Sequence, residues 1–512
     1  MKKKLLLLTP IFVSIMVVNA QKSEDAAAFS NTITGKELKQ KLTIVASAEM
    51  EGRETATPGQ KKAAAYIEQQ FKKLGLKPAN GESYQQQYPV YQDDLIEKKL
   101  SVNGKSFVWD KDFNFQLQAS NSTNITIQNI VFAGFGLVDE KANLNDFAGL
   151  DVKGKVVVVI EGAPKEYKPS PNANPRMGGA NATLTKMNYL RSKGAAGLLV
   201  ITKDFPRKIP TAVKGNMYLK KPDASNFFMG TISEEVASAL IGRTSTVPMD
   251  AWKDVLKTTY FAETKVVLTK FTNELESSNV CGLLEGTDKK DEYVVLTAHY
   301  DHLGKRDSII YYGADDDGSG TVSVIEMAEA FVAAKKKGKG PRRSIVFMTV
   351  SGEEKGLWGS QYYVENPLFP LAKTTVNLNT DMVGRTDPKY KGDTSNYVYV
   401  IGDDKISTDL APITDSVNLT AKMELDRRFN DLNDPNRFYY RSDHYNFAKM
   451  GVPIIFYFDG VHADYHRATD TVEKINFELM EKRVRFIFNT AWAIANKNEM
   501  LKRNIPLNIP PR

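Results

Sequence analysis

Cysteine is almost absent from this 512-residue chain, since Cys281 is the only one. A disulfide within one chain is therefore impossible, so an oxidising compartment is permitted but not exploited. Charge of one sign is also not in large excess. The formal net charge is +7, and Lys2, Lys3 and Lys4 supply three of those charges. So small an excess gives no electrostatic reason to expect a nucleic-acid partner.

Long hydrophobic runs are missing beyond the first 20 residues. The run Leu5 to Val18 follows three lysines, and Val18-Asn19-Ala20 supplies the small residues that signal peptidase prefers. The alternative is a membrane anchor, but the run is short for a span of about 20 residues. We expect residues 1–20 to be a signal peptide and the mature protein to be secreted or periplasmic, with no membrane span after cleavage.

Histidine is scarce, and its five positions lie in short polar stretches. These stretches are Thr-Ala-His299-Tyr-Asp-His302, Arg-Ser-Asp-His444 and Val-His462-Ala-Asp-Tyr-His466. Three acidic segments occur between them: Asp315-Asp316-Asp317 before Gly-Ser-Gly, Glu353-Glu354, and Asn379-Thr380-Asp381-Met382. Histidine nitrogens and carboxylate oxygens are the ligands that a catalytic zinc ion accepts. The pattern therefore indicates metal-assisted chemistry.

From Asn279 onward, apolar runs of strand length alternate with helical patterns. The predicted strands are 293–298, 344–349, 375–378, 397–401 and 453–458, and the predicted helices are 319–335, 442–450 and 476–495. This alternation predicts an α/β fold with a mixed, mainly parallel sheet. Ligands bind at the carboxyl ends of the strands in such sheets. His299, Glu353, Glu354 and Asp381 all fall at or just after predicted strand ends.

The stretch 125–265 has a different character, with predicted strands but no histidine and no paired acids. We interpret it as an inserted second domain. The expected organisation is a signal peptide (1–20), the first part of the main domain (21–124), the insertion (125–265), the catalytic part of the main domain (266–500) and a tail (501–512).

Three carboxylates, Asp316, Glu354 and Asp381, with one bridging hydroxide would neutralise two divalent cations, while His299 and His466 add no charge. A hydroxide held between two metals is a nucleophile near neutral pH. Two further acids remain. Asp301 follows His299 closely and could orient its imidazole, and Glu353 is a candidate general base.

The order of these motifs resembles peptidase family M28, the di-zinc aminopeptidases. The shared motifs are His-x-Asp, Gly-x-x-Asp-x-x-Ser-Gly, Glu-Glu, Asn-x-Asp-Met and a late Asp-Tyr-His. The insertion, with 147–156 and Gly194-Ala-Ala-Gly197, resembles a protease-associated (PA) domain. The resemblance implies a three-layer α/β/α zinc-exopeptidase sandwich with a mixed central sheet, plus an inserted PA-like β-rich domain.

The resemblance also implies two Zn²⁺ ions and five ligands: His299, Asp316, Glu354, Asp381 and His466. Asp316 would bridge the two ions, His299 and Asp381 would complete one site, and Glu354 and His466 the other. Relatives of this kind carry a cis peptide bond just after the bridging aspartate, here Asp316–Asp317.

Three further residues take catalytic roles by the same resemblance. Glu353 would be the general base and acid, Asp301 would orient His299, and Tyr465 would support the oxyanion. Among the other histidines, His302 and His462 are interpreted as rim or supporting residues. His444 is interpreted as part of a helix N-terminus, and Arg467 is expected to shape the entrance.

The expected function is a secreted zinc-dependent exopeptidase that removes N-terminal residues from peptides through a metal-bridging hydroxide. A carboxypeptidase or dipeptidase on the same scaffold remains open. So does a glutaminyl-cyclase-like acyltransferase, which works with one zinc ion. A non-catalytic receptor of this fold is less consistent with the chain, because such relatives usually lack ligands. The preferred side chain and the oligomeric state are not specified by the sequence.

Overall fold

The computed structural model describes residues 24–117, 120–168, 182–221 and 227–508, and of Lys141 the main chain only. The chain divides into two compact units. One unit contains the residues up to Pro89 together with those from Glu276 onward, and the other is Val90–Leu275. The second unit starts earlier and ends later than the insertion predicted at 125–265. The predicted signal peptide, 1–20, lies outside the described residues.

The first unit is built on a mixed sheet. From one edge, its strands follow the order Glu424–Asp426, Tyr397–Ile401, Ile454–Phe458, Thr374–Thr380, Lys289–His299, Arg343–Val350 and the end of Thr258–Leu284. The central pairs are parallel, whereas Tyr397–Ile401 and Thr258–Leu284 run antiparallel to their inner neighbours. The shorter strands here are Lys77–Pro78, Lys305–Arg306 and Ile309–Ile310.

Two sets of helices pack on this sheet. Gly320–Lys336 contacts the central strands, and His444–Lys449 contacts Thr374–Thr380 and Ile454–Phe458. Residues 24–30 are helical. The further helices of the unit are Gly35–Val45, Pro58–Leu74, Gly320–Lys336, Trp358–Glu365, Leu410–Ala421, His444–Lys449 and Phe477–Ala495. Short helical turns are Ala48–Arg53, Ala314–Ser319, Leu371–Lys373, Arg428–Asn430, Phe438–Tyr440 and Val472–Lys474. The predicted α/β class with a mainly parallel sheet is confirmed.

The central strands are buried on both faces. In Arg343–Val350 and Thr374–Thr380 every residue is buried. Such strands appear in a sequence as continuous apolar runs, which is why the runs at 344–349 and 397–401 predicted their strands closely. The free Cys281 is also buried in this core, so its thiol packs as a small apolar group.

The second unit, Val90–Leu275, is rich in strands. Its strands are Lys105–Phe107, Phe113–Phe115, Thr123–Phe132, Val138–Asp139, Leu144–Asn145, Val156–Ile160, Gly197–Ile201, Lys214–Tyr218, Phe228–Ile232 and parts of Gln85–Val102 and Thr258–Leu284. The described helices are Thr183–Ser192 and Glu234–Leu240, with short turns at Glu140–Ala142 and Met249–Asp254. Three adjacent strands, Val156–Ile160, Gly197–Ile201 and Phe228–Ile232, are parallel.

Arg53 ties the N-terminal helices to the loop that carries the acidic triplet. Its guanidinium is fully buried, and its Nε donates to the main-chain oxygen of Tyr300 at 2.7 Å. Nη1 donates to Val45 and Tyr312 at 2.8 Å each, and Nη2 donates to Gly313 at 2.9 Å. One planar fork of donors therefore satisfies four carbonyl groups from three chain segments.

Arg53→Lys is expected to destabilise the protein because an ammonium group cannot reproduce this fork. At least one buried carbonyl would lose its partner, which costs about 1–3 kcal/mol. Urea unfolding measures the loss, and Arg342→Lys, at a half-buried arginine that pairs with the exposed Asp288, is the matched control. Equal midpoints for the two variants would contradict this account of Arg53.

Candidate metal centre

The candidate site lies where three neighbouring parallel strands end. His299 is the last residue of Lys289–His299, and Asp381 directly follows Thr374–Thr380. Glu353 and Glu354 come shortly after Arg343–Val350 on the other side. Because parallel strands end at one edge of the sheet, these side chains from distant parts of the sequence meet there.

One half of the cluster, here called the His299 group, consists of His299, Asp381 and Oδ1 of Asp316. His299 Nε2 lies 3.2 Å from Asp316 Oδ1 and 3.5 Å from Asp381 Oδ1. Glu353 is beside this group, with its Oε2 3.9 Å from the same nitrogen. All four side chains have little or no exposure to solvent.

The other half, the His466 group, consists of His466, Glu354 and Oδ2 of Asp316. His466 Nε2 lies 3.1 Å from Asp316 Oδ2 and 3.2 Å from Glu354 Oε2. The two carboxylate oxygens of Asp316 therefore face two different sets of ligand-type atoms. The structure brings all five predicted ligands together, and the shared residue is the one predicted to bridge.

Two buried oxygens of this cluster, Asp316 Oδ2 and Glu354 Oε1, have no hydrogen-bond partner among the described residues. Buried polar atoms in folded proteins are nearly always paired. The His299 group offers ligand atoms that all lie within 4.8 Å of one another, and so do His302, Asp316 and Glu354 beside the His466 group. This donor set suits zinc, so the residues present fit a metal ion in each half.

The electrostatics of the cluster favour bound positive charge. Burial lowers the pKa of His466, but the contacts with the carboxylates of Asp316 and Glu354 outweigh it and raise that pKa to about 10. Burial and Asp316 raise the pKa of Glu354, yet contacts with His302 and His466 bring it down to about 2. The negative charge of the carboxylates that keeps a proton on His466 would equally attract a cation.

The three aspartates of the acidic triplet, 315–317, make different contacts. Asp317 Oδ2 accepts from the main-chain nitrogen of His299 at 3.0 Å, and its Oδ1 accepts from Gly320 and Met382. Asp315 points elsewhere, with its Oδ1 accepting from Gly384 at 2.7 Å. Asp316 alone of the three faces both halves of the cluster. The peptide bond Asp316–Asp317 is cis, as predicted.

Asp301 contacts the site differently from the sequence-based expectation. His299 Nδ1 donates to the main-chain oxygen of Asp301 at 3.0 Å, whereas the carboxylate is 3.8 Å away. The carboxylate instead accepts from Thr55 Oγ1 at 2.7 Å and from the main-chain nitrogen of Glu353 at 3.2 Å. With Nδ1 carrying the proton, Nε2 of His299 directs its lone pair into the cluster.

Glu353 is set apart from its neighbour Glu354 by its surroundings. Burial, together with the charges of Asp381 and Glu354, raises the pKa of Glu353 well above its ordinary value, although His299 opposes this. A carboxyl group with a raised pKa can both take up and release a proton near neutral pH. The raised pKa of Glu353 supports a role as proton carrier, and the lowered pKa of Glu354 supports a role as metal ligand.

Sequence reasoning missed two supporting residues. Ser442 Oγ donates to Asp381 Oδ2 at 2.6 Å and itself accepts from Asn379 Nδ2 at 2.8 Å. Asp470 Oδ2 accepts from the main-chain nitrogens of Asp315 and Asp316 at 3.1 Å each. The Ser-Asp-His stretch was a signal for Ser442, but it suggested a helix N-terminus rather than a partner for Asp381.

A small cavity opens onto the His299 group. Its lining includes Glu353 and the cluster residues, the apolar side chains of Met382, Phe438, Phe456, Phe458 and Val461, and the side chains of Arg441 and Tyr465. Tyr465 stacks on the ring of His466, with ring centroids 3.9 Å apart, and its hydroxyl accepts from Arg441 Nη2 at 3.1 Å. Arg467 is exposed and is not part of this lining.

The other three histidines are all buried. His462 is buried beside Asp315 Oδ2 at 3.2 Å, which makes it a supporting residue. His444 begins the helix His444–Lys449 and donates from Nε2 to Tyr439 O at 2.8 Å. His302 is fully buried, so of the two roles predicted for it the rim position is excluded and the supporting position fits. Its Nδ1 lies 2.7 Å from Glu354 Oε1.

Comparison with known proteins places this geometry in context. The chain is 27% identical over 235 residues to a protein named probable leucine aminopeptidase from Arthroderma otae, covering 45% of this chain and 61% of that one. It is 33% identical over 165 residues to aminopeptidase NAALADL1 of Rattus norvegicus, covering 29% and 21%. A probable glutamate carboxypeptidase LAMP1 of Arabidopsis thaliana is 32% identical over 153 residues, covering 29% and 20%. The chain thus spans less than two thirds of these relatives.

A solved structure shares the fold. The aminopeptidase from Aneurinibacillus sp. strain AM-1 superposes with a TM-score of 0.54 at 18% identity, covering 95% of this chain and 98% of that chain. The sequence profile of peptidase family M28 matches residues 279–491, the stretch that carries all five histidines and the acidic motifs. Residues 279–491 therefore resemble peptidase family M28 in sequence as well as in the order of their motifs.

Proposed function

We propose that this protein is a zinc-dependent exopeptidase that removes N-terminal residues from peptides. The observation that carries the proposal is the position of Asp316, whose two carboxylate oxygens face two separate groups of ligand-type atoms. Such a shared carboxylate is what a two-metal hydrolytic site requires. A single-zinc acyltransferase would need only one of these groups, so the geometry favours the peptidase over the glutaminyl-cyclase-like alternative.

In this proposal His299, Asp381 and Asp316 hold one zinc ion, and His466, Glu354 and Asp316 hold the other. When bound, the ions would polarise the scissile carbonyl group and lower the pKa of a water molecule. Glu353 takes a proton from the attacking water as its oxygen bonds to the carbonyl carbon. Glu353 then gives that proton to the amide nitrogen, which leaves as an amine when the carbon–nitrogen bond breaks.

Tyr465 is proposed to stabilise the oxyanion of this reaction. Burial and the nearby carboxylates raise the pKa of its hydroxyl well above its ordinary value, so the hydroxyl keeps its proton for donation. Stacking on His466 holds the ring beside the cluster. A neutral donor held in place before the reaction is more effective against developing negative charge than mobile water.

The cavity supports a preference for apolar N-terminal side chains. Its lining includes aromatic and aliphatic groups, chiefly Phe438, Phe456 and Phe458. Burial of an apolar side chain there would contribute about 25 cal/mol per Å² removed from water. We further propose export directed by residues 1–20 and a PA-like role for the unit Val90–Leu275 in limiting access to short or flexible peptide ends.

One observation favours a second candidate, a carboxypeptidase or dipeptidase. Arg441 lines the cavity, is largely exposed, and has no carboxylate partner among the described residues. A guanidinium in that position could bind the C-terminal carboxylate of a short peptide. The two candidates differ in which end of the peptide must be free.

We expect the purified mature protein to cleave a peptide with a free N-terminal leucine at least about 100-fold faster than its N-acetylated twin. A site that binds a polar group of its substrate, here the free amine, rejects analogues that lack this group. The measurement is kcat/KM for the pair, together with a third peptide whose C-terminus is amidated. Equal rates on the acetylated and free peptides would rule out an aminopeptidase. Loss of cleavage only on C-terminal amidation would support the carboxypeptidase candidate.

A further inference from the structure

His302 is a buried imidazole without a partner for either ring nitrogen among the described residues. Its exposure is 0%, so bulk solvent does not reach these atoms. His444 is equally buried, but its Nε2 donates to Tyr439 O and its ring stacks on Phe456 with centroids 4.7 Å apart. Since an unpaired buried polar group is destabilising, the position of His302 calls for a ligand.

The atoms nearest to His302 Nδ1 are themselves ligand-type atoms. Glu354 Oε1 lies 2.7 Å away and Asp316 Oδ2 lies 3.9 Å away, and both oxygens also lack hydrogen-bond partners. The three side chains lie close enough to one another to hold one ion. His302 Nδ1 and Glu354 Oε1 are close, but no hydrogen bond of acceptable geometry joins them, so a shared cation would give both atoms a partner.

The imidazole of His302 packs closely against Gly313. A side chain at Gly313 would bring its Cβ within 2.5 Å of His302 Cγ and Cδ2, so the glycine is needed for the ring to fit. The ring meets that of His466 at a steep angle, with centroids 6.0 Å apart. Two imidazoles thus approach Asp316 Oδ2 and Glu354 from different directions.

We propose that His302 is a direct ligand of the metal ion in the His466 group, alongside His466. The inference rests on the proposed metal sites but not on the identity of the substrate. It gives that ion four protein ligands, the number that structural zinc sites have, whereas the ion of the His299 group has three. The His466 group is therefore the tighter site and fills first, and the His299 group keeps the position open to substrate.

The scarcity of histidine makes a direct test possible. We would load the metal-free, full-length mature protein with two equivalents of ¹¹³Cd²⁺ and record a proton–cadmium correlation spectrum, in which ring protons of ligating histidines appear. We expect one cadmium signal correlated with two histidines and a second correlated with one. Only five histidines can contribute in total.

The variant His302→Asn shows which cadmium correlation belongs to His302 and measures how much His302 contributes to zinc affinity. The amide keeps a hydrogen-bonding group near the Nδ1 position but is a poor zinc ligand. We expect the first zinc equivalent to bind at least about 10-fold more weakly in competition with a chelator, and the second equivalent to change little. His444→Asn is the matched control at a buried histidine outside the cluster, and we expect it to leave both affinities unchanged.

The outcomes separate this inference from the proposed function. One histidine on each cadmium, with an unaltered spectrum in His302→Asn, would overturn the role of His302 while leaving the two-metal site intact. Absence of any histidine correlation would remove the proposed metal sites and this inference together. The spectrum of the unsubstituted protein counts the ligands even if His302→Asn does not fold.

Discussion

Glu353→Gln is expected to lower kcat by about 10²- to 10⁴-fold, the usual contribution of a general acid–base group. The amide keeps the shape of the side chain but cannot take up a proton from water or deliver one to the leaving nitrogen. Glu353 lines the cavity beside His299, and burial with nearby carboxylates raises its pKa. Steady-state hydrolysis of an aminoacyl anilide with an apolar side chain measures the effect.

The adjacent glutamate supplies the matched control. Glu354→Gln is an equal chemical change one residue away, but Glu354 faces His466 and Asp316. We expect Glu353→Gln to retain zinc at the level of the unsubstituted protein and Glu354→Gln to lose it, as measured by mass spectrometry of the metal after dialysis. Near-normal turnover in Glu353→Gln would mean that another group carries the proton.

The fold of the first unit was predictable where burial on both faces dictated composition. The strand at 397–401 was predicted with its exact bounds, and Arg343–Val350 differs from its prediction by one residue at each end. The strand Gln85–Val102 was missed because polar and charged residues interrupt its apolar pattern, among them the buried Asp93 and the half-buried Asp94. The helix Trp358–Glu365 was missed because eight residues are too few for a clear helical period.

The convergence of the five ligands was predictable because motif order and strand ends both pointed to one edge of the sheet. The finer contacts were not. Whether Asp301 reaches His299 through its carboxylate or its carbonyl depends on backbone geometry, which the sequence does not encode locally. The partnership of Ser442 with Asp381 joins residues 61 positions apart. The bounds of the second unit, Val90–Leu275, also escaped prediction, because the strands at its ends continue into the first unit.

Asp316→Asn is expected to remove both metal ions and with them all activity. Each carboxylate oxygen of Asp316 serves one half of the cluster, so one substitution weakens both sites at once, whereas loss of His299 or of His466 would affect one. An amide offers one oxygen and a nitrogen whose hydrogens point at the position of the cation. The measurement is zinc per chain after dialysis against buffered zinc, with circular dichroism to establish that the protein is folded.

Substitutions of the two flanking aspartates, Asp315 and Asp317, serve as controls for Asp316→Asn. Asp315→Asn keeps an oxygen that can accept from Gly384, so we expect it to retain two zinc ions per chain. The two oxygens of Asp317 accept from the main-chain nitrogens of His299, Gly320 and Met382. In Asp317→Asn an NH₂ group replaces one of these oxygens, so two hydrogen-bond donors would face each other. That conflict should cost about 1–3 kcal/mol of unfolding free energy. If Asp316→Asn retained one zinc ion with full affinity, Asp316 would serve only one half of the cluster, and the bridging assignment would be wrong.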